Sequence, residues 1–332
     1  MIIYLISISS LIFFYINSKK LSLFLRLYKD GRDSDKTPIT GGLGIYFFFL
    51  INFIYLIIFE KKILNEDFII IITVSLIFLI GIIDDIINID YKIRLLSVFL
   101  FLFLFVYLNN SFLITYLYFE TLNLTFILGI ASYFLTPLFI LLLINSMNMA
   151  DGINGNTGLI FLTYFIILYF VGNILLENLL LIIIPIIIFL IFNLNNKCYL
   201  GDSGVYLLSS IISFYIIKNY NVNSTLFSSE KIFLLLMIPG LDMLRLFCVR
   251  ILNKKNPFKG DLNHLHHLLI QKFNNNKTLL IIMLLIIWPN VFYKIFSIKI
   301  QFLIILNTLI YIYLTIYLTK LKNFPNQFKK NK

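Results

Sequence analysis

Histidine is almost missing from this 332-residue chain, and the three that exist, His264, His266 and His267, fall within four positions. Charge is scarce too. Only 13% of residues are Asp, Glu, Lys or Arg, against about 25% in a soluble domain, and 60% are hydrophobic, which excludes a soluble globular fold. Two cysteines, Cys198 and Cys248, give no disulfide framework and read as packing positions. No polar stretch is long enough to fold into a domain that reads a duplex, so the formal charge of +11 does not point to nucleic acid. An internal inverted repeat of the transporter kind is also lacking.

Long apolar runs are what the chain has instead. Eleven are expected to cross a bilayer as helices, at 1–16, 43–59, 68–83, 95–108, 126–144, 159–172, 179–192, 205–217, 232–249, 278–293 and 300–319. The expected fold is a single all-α polytopic membrane domain over 1–332, with 320–332 as a basic tail. The first run is expected to be an anchor: no basic residue precedes it, no small-residue cleavage site follows it, and Lys19-Lys20 come directly after. With the N-terminus placed outside, 20 of the 27 Lys and Arg fall on inner segments and six on outer loops, with Arg245 inside the ninth helix. The C-terminus is then cytoplasmic, and the basic loops face anionic lipid and phosphate-bearing substrates.

On this topology the polar breaks open on one face, which confines the chemistry to inter-helix loops. The first carries Lys36, then Thr37-Pro38 and Gly41-Gly42, a turn followed by glycines that permit close backbone approach. Asp84-Asp85 close the third run, with Asp90, Lys92 and Arg94 beyond; adjacent carboxylates stay ionised at such a boundary if a divalent cation or a basic group holds them. Asn145, Asn148, Asp151, Gly152 and Asn154 follow the fifth run, where carboxamides three apart share a helical face and can hydrogen-bond a sugar or base. Tyr199 precedes Gly201-Asp202-Ser203-Gly204, which suits a metal-binding or helix-capping carboxylate beside an aromatic platform. Asp242 and Arg245, three apart within an apolar span, are expected to pair.

The last break runs from Pro257-Phe258 through Asp261 to His264-Leu265-His266-His267, a basic loop suited to a diphosphate. Zinc is disfavoured, because His266 and His267 are expected to point apart in a helix and no further ligand completes a tetrahedral set. Oxygen ligands dominate the candidates, which favours a hard cation, Mg²⁺ with Mn²⁺ as a substitute.

In this order, Thr37-Pro38 with Gly41-Gly42, Asp84-Asp85, Asn145 to Gly152, Gly201 to Gly204, and Asp242, Arg250, Pro257-Phe258, Asp261 and the histidines resemble the polyprenyl-phosphate N-acetylhexosamine-1-phosphate transferases. The His-Leu-His-His form is similar to the WecA/TagO-like branch and unlike the three-histidine run of MraY. The resemblance implies an enzyme of the inner (plasma) membrane that transfers N-acetylhexosamine 1-phosphate, GlcNAc first among candidates, from a UDP-sugar to undecaprenyl phosphate. UMP is released, and a cell-wall or O-antigen-type glycan is started.

It implies Mg²⁺ on Asp202 with Asp84 and Asp85, and Asp84 or Asp85 as base or, in the other proposal for this family, as nucleophile. Lys36, His264, His266 and His267 would hold phosphates at roughly 1.5–3 kcal/mol for each charge-assisted contact. Asp151 joins the catalytic group; Asn145, Asn148, Asn154, Tyr199 and Asp261 join substrate recognition; a homodimer is compatible with it. Three positions depart from the family pattern: Asn154 stands for a second Asp, Val205 for a Ser and Leu262 for an Arg. They open the alternatives of another UDP-amino sugar, of the fucosamine or quinovosamine type, or of phospho-MurNAc-pentapeptide. An ion-coupled transporter is the rival from another class, but carriers hold such groups near the bilayer midplane.

Overall fold

The structure is a computed structural model that describes residues 2–25, 28–30, 36–60, 65–172, 176–257 and 261–323. The elements are α1 (Ile2–Ile16), α2 (Ser18–Leu25), β1 (Tyr28–Asp30), β2 (Lys36–Pro38), α3 (Gly41–Tyr55), α4 (Asn65–Ile87), α5 (Tyr91–Leu108), β3 (Tyr116–Phe119), β4 (Leu124–Ile127), α6 (Ser132–Ala150), α7 (Asn156–Gly172), α8 (Leu176–Leu194), α9 (Gly201–Val222), α10 (Ser229–Leu252), α11 (Leu265–Ile270), α12 (Asn275–Phe296) and α13 (Ile300–Asn323). Many of these helices are rich in Ile and Phe, which water would rather see in strands. In hydrocarbon the preference inverts, because only a helix satisfies its own backbone groups within one segment.

Each of the eleven apolar runs falls on a helix, but not every helix is equally suited to lipid. Among the described residues seven are long and apolar enough to cross a membrane: Gly41–Ile58, Phe68–Ile87, Tyr91–Leu108, Gly129–Ala150, Ser229–Leu252, Asn275–Phe296 and Ile300–Leu321. Three more apolar helices are shorter, at Tyr4–Ile16, Asn156–Phe170 and Leu179–Leu194. The remaining one, α9, is 22 residues long yet carries Asp202, Ser203, Ser209, Ser210, Ser213 and Lys218, which dilute its hydropathy. It sits in the middle of the bundle, packed against α3, α4 and α6, with most of its side chains buried. Small hydroxyls serve there because they allow close helix packing and bond their own carbonyls, as Ser210 does to Tyr206 at 2.8 Å and Ser213 to Ser209 at 2.7 Å.

Two boundaries differ from expectation. The fifth run was expected to be helical from 126, but Leu124–Ile127 pairs antiparallel with Tyr116–Phe119 as a hairpin, in the register Tyr116↔Ile127 to Phe119↔Leu124. Asn123 takes the left-handed conformation in its turn (φ 50°). The helix itself starts at Ser132 and runs on to Ala150, so Asn145 and Asn148 lie on α6 and not in a loop. Likewise Asp202 belongs to the first turn of α9, Asp84 and Asp85 to the last turn of α4, and Asp242 to α10. Most of these polar groups lie at or near helix ends more than in the loops between, whereas Asp242 lies within α10, as expected.

The Thr37-Pro38 segment is stitched to the start of α9. Tyr199 donates its N–H to the Pro38 carbonyl (2.9 Å), and the Tyr199 and Leu200 carbonyls accept from Gly41 (2.8 Å) and Gly42 (2.9 Å). Lys36 ends the β1–β2 pairing opposite Asp30, and its side chain lies outside the described residues.

Candidate active site

The carboxylate half of the site is built where α4 ends against the start of α9. Asp85 accepts the backbone N–H groups of Asp202 (2.8 Å) and Ser203 (3.0 Å), so it caps α9 from a neighbouring helix. Gly201 makes this approach feasible: its φ is +76°, and a Cβ there would stand 2.7 Å from an Asp85 oxygen. Asp84 is buried and accepts from the Ile89 N–H (2.9 Å) and from Arg94 Nη1 (2.6 Å). The same Arg94 nitrogen is 3.4 Å from Asp202, whose side chain keeps 28% of its surface exposed. Arg94 is aimed from the first turn of α5, which Asp90 caps by accepting from the Lys92 N–H (2.9 Å). Of the two holders that the sequence allowed for the paired aspartates, a cation or a basic group, Arg94 is the one the chain itself supplies.

The histidine half hangs on Asp242. Its carboxylate accepts from His264 Nδ1 (2.9 Å), the Leu265 N–H (3.2 Å), Arg245 Nη2 (2.9 Å) and the Tyr311 hydroxyl (2.8 Å). Arg245 also donates to the Asn263 carbonyl (2.7 Å) and to the Tyr311 oxygen (2.8 Å), so α10, α13 and the histidine segment lock together. With Nδ1–H given to a carboxylate, His264 is left with Nε2 for a ligand. His266 and His267 do not point apart as expected: their ring centroids are 4.1 Å from each other, and the His266 ring stacks on His264 at 5.7 Å. In a helix as short as α11, side-chain packing outweighs the hundred-degree offset of neighbours.

His266 is buried, and its Nε2 has no hydrogen-bond partner among the described residues. Burial, with His267 and His264 adding to it, pushes its pKa down to about 3. A neutral imidazole offers a phosphate one N–H donor but no positive charge of its own, so it brings a hydrogen bond and not an ion pair. Gly152 lies directly under this ring: a Cβ on it would collide with His266 Nε2 and stand 2.8 Å from His267 Nε2.

Helix α6 joins the two halves. Asn145 Nδ2 points to the Met243 sulfur (3.3 Å), one residue from Asp242, and Asn148 one turn on hydrogen-bonds Tyr206, which lies beside Arg94, Asp202 and Asp84. Asp151 follows the end of α6, half-buried, immediately before Gly152. Asn154 ties loops together, donating to the Asn196 side chain while its carbonyl accepts from Asn275 (3.2 Å). Tyr199 contributes its backbone to the stitch with Pro38, and its ring is half-buried. Asp261 is engaged by Arg250 Nε (3.0 Å) and the Asn263 N–H (2.8 Å); burial pulls its pKa up, but these donors outweigh it and hold the carboxyl below the usual range. Arg250 also donates to the Pro257 carbonyl (2.6 Å), and its Nη2 has no partner among the described residues.

Residues 68–219 match the family model described as Glycosyl transferase family 4. Over this stretch the chain is similar to that family. The family 4 region holds Asp84, Asp85, Asn145, Asn148, Asp151, Tyr199 and Asp202, while Asp242 and the histidines lie beyond it. A Thermotoga maritima protein named undecaprenyl-phosphate alpha-N-acetylglucosaminyl 1-phosphate transferase is 28% identical over 291 residues, covering 82% of this chain and 84% of the relative. An Escherichia coli protein of the same name is 28% identical over 155 residues, 44% of this chain and 42% of the relative.

Arg94, Tyr206 and Tyr311 are the parts of the site that sequence reasoning left without a role. Arg94 carried one signal, its place in the first turn after a capping Asp90. Tyr311 carried none, since it is one tyrosine in an apolar helix 69 residues from the aspartate it bonds.

Proposed function

We propose that this protein transfers N-acetylglucosamine 1-phosphate from UDP-N-acetylglucosamine to undecaprenyl phosphate, releasing UMP. The observation that carries the reading is the meeting of the carboxylate and histidine clusters across Asn145 and Asn148, at one end of a bundle with an apolar groove running from it. That groove, of about 510 Å³, lies between α6, α9 and α10, and its inner end is lined by Ser146 and Met243, beside Asn145 and Asp242. A polyprenyl chain lying there would bring its phosphate to the polar cluster. The names of the Thermotoga maritima and Escherichia coli relatives support the same acceptor and the same transferred group.

In the reaction an oxygen of the lipid phosphate attacks the β-phosphorus of the UDP-sugar. A new phosphoanhydride forms, the α–β bond breaks, and its electron pair leaves with UMP. A phosphate monoester with a second pKa near 6 is mostly dianionic at neutral pH, so the acceptor needs orientation more than deprotonation. His264, fixed by Asp242, and neutral His266 would donate to phosphate oxygens, with Lys36 as a further cation. Asn145, Asn148 and Tyr199 would face the uridine and sugar, and Asp151 would border the reacting phosphates.

Among the described residues no three His, Cys, Asp or Glu side chains stand in metal-holding geometry. Mg²⁺ characteristically takes one or two carboxylates and completes its shell with water and phosphate, and partly exposed Asp202 beside Asp84 fits that habit. Asp85, both of whose oxygens hold backbone amides, fits it less well. When bound, the ion would neutralise diphosphate charge and ease departure of UMP. The positive-inside count supports a cytoplasmic site in an eleven-span plasma-membrane protein with its N-terminus outside. The test is UMP release by the purified chain with undecaprenyl phosphate and a panel of UDP-sugars. Release with UDP-N-acetylglucosamine is expected; release only with another amino sugar would move the assignment to that donor, and none with any would end it.

A further inference from the structure

The end of the bundle remote from the histidines holds more bonding than a passive loop requires. Tyr220 accepts the Tyr118 N–H (2.6 Å) and donates to the Tyr116 carbonyl (3.1 Å), pinning β3 to α9. Buried Glu230, in the first turn of α10, accepts the N–H groups of Glu120 (2.7 Å) and Thr121 (3.1 Å) together with the Thr121 hydroxyl. Lys231 pairs with Glu120 at 2.8 Å, and the Tyr293 hydroxyl of α12 reaches the same carboxylate at 3.2 Å. The β3–β4 hairpin is therefore fastened to three helices.

What it is fastened over is the apolar groove. Leu117 of β3 and the Tyr220 ring line the groove's far end, opposite Met243. Along α10 the lining extends from Ser229 to Phe247, about 27 Å at 1.5 Å per residue, close to the roughly 30 Å of a hydrocarbon core. A chain whose phosphate sits near Asp242 thus follows about 20 Å of this lining, back to Ser229, before it meets the hairpin.

We propose that the latched hairpin is the end wall of the acceptor groove, with Leu117 and Tyr220 setting how much of the prenyl chain the protein reads. This rests on the transferase reading above. Carbons up to the wall gain burial against protein, whereas those beyond it return to lipid and contribute nothing more to affinity. KM should therefore fall as the prenyl chain lengthens and then level off once the groove is full.

The experiment measures KM and kcat for a ladder of polyprenyl phosphates with wild type, Leu117→Trp and Tyr220→Phe. Leu117→Trp fills the far end, so levelling-off should come at a shorter chain. KM for undecaprenyl phosphate should then rise severalfold through lost packing contacts in the groove, while kcat and the shortest acceptors are unaffected. Tyr220→Phe keeps the ring but unpins β3 from α9, leaving the turn held by Glu230 and Lys231, and should move the levelling-off to longer chains. A Leu117→Trp profile that matches wild type with turnover intact would overturn the wall and leave the transferase reading standing. A wild type that uses no polyprenyl phosphate would overturn both. Should Leu117→Trp fail to fold, Leu117→Phe and the Tyr220→Phe profile decide the same question.

Discussion

Replacing Gly152 by alanine adds a single methyl group at the most crowded point of the site. That carbon would overlap His266 Nε2 and lie 2.9 Å from His266 Cδ2 and 2.8 Å from His267 Nε2, under the roughly 3.5 Å of ordinary carbon contact. The ring cannot swing aside, because His266 is 2% exposed, stacked on His264 and packed at a tilt against His267. The loop or α11 must shift by about an ångström, at an overpacking cost of about 1–3 kcal/mol. Displacement of that size at a reacting centre costs about a hundredfold in rate. Transfer of labelled N-acetylglucosamine 1-phosphate should fall by about that factor while detergent-solubilised protein still unfolds cooperatively. In a His266→Ala background the overlap with His266 is gone and only the 2.8 Å approach to His267 Nε2 remains, so the same methyl should cost less rate and less stability than it does in the wild type, the coupling expected of neighbouring residues. Full turnover by Gly152→Ala, or additive losses in the double variant, would refute the packing argument.

Three other outcomes are expected. Asp202→Asn and Asp84→Asn should abolish transfer with the protein still inserted; Asp85→Asn, which keeps a carbonyl to cap α9, should retain measurable turnover, and Asp85→Ala should lower stability by about 0.5–2 kcal/mol in thermal unfolding. Since His266 is held near pKa 3 in the folded chain and returns to about 6.5 on unfolding, the unfolded state takes up the extra proton between those values. Stability should therefore fall as pH drops from about 6.5 toward 3, and His266→Gln should flatten that slope. Chelation of divalent ions should stop UMP release and added Mg²⁺ restore it; persistence in excess chelator would discard the metal assignment.

The apolar runs located every long helix, because lipid leaves the backbone one solution and hydropathy reads it directly. The hairpin escaped because Leu124, Phe126 and Ile127 are apolar for another reason: with the rest of β4 they are exposed at the bundle end, and apolarity alone does not separate strand from helix. The site residues were legible as types and in order, since an aspartate pair or an asparagine run inside apolar sequence is costly without a partner. Their partners were not. The bonds from Asp85 to α9, Arg94 to Asp202 and Tyr311 to Asp242 join residues 69 to 118 positions apart, and no local spacing encodes them. The pairing of Asp242 with Arg245 was readable because both lie on one helical face.

Convergence of the aspartate and histidine segments at one end of the bundle is the claim on which the rest stands. Single cysteines at Asp202, the partly exposed member of the aspartate cluster, and at His267, placed in a Cys248→Ser chain whose Cys198 is buried, can be labelled with a membrane-impermeant thiol reagent applied to one side at a time. Both should react from the cytoplasmic side and be protected together by UDP-N-acetylglucosamine; labelling from opposite sides would contradict the account.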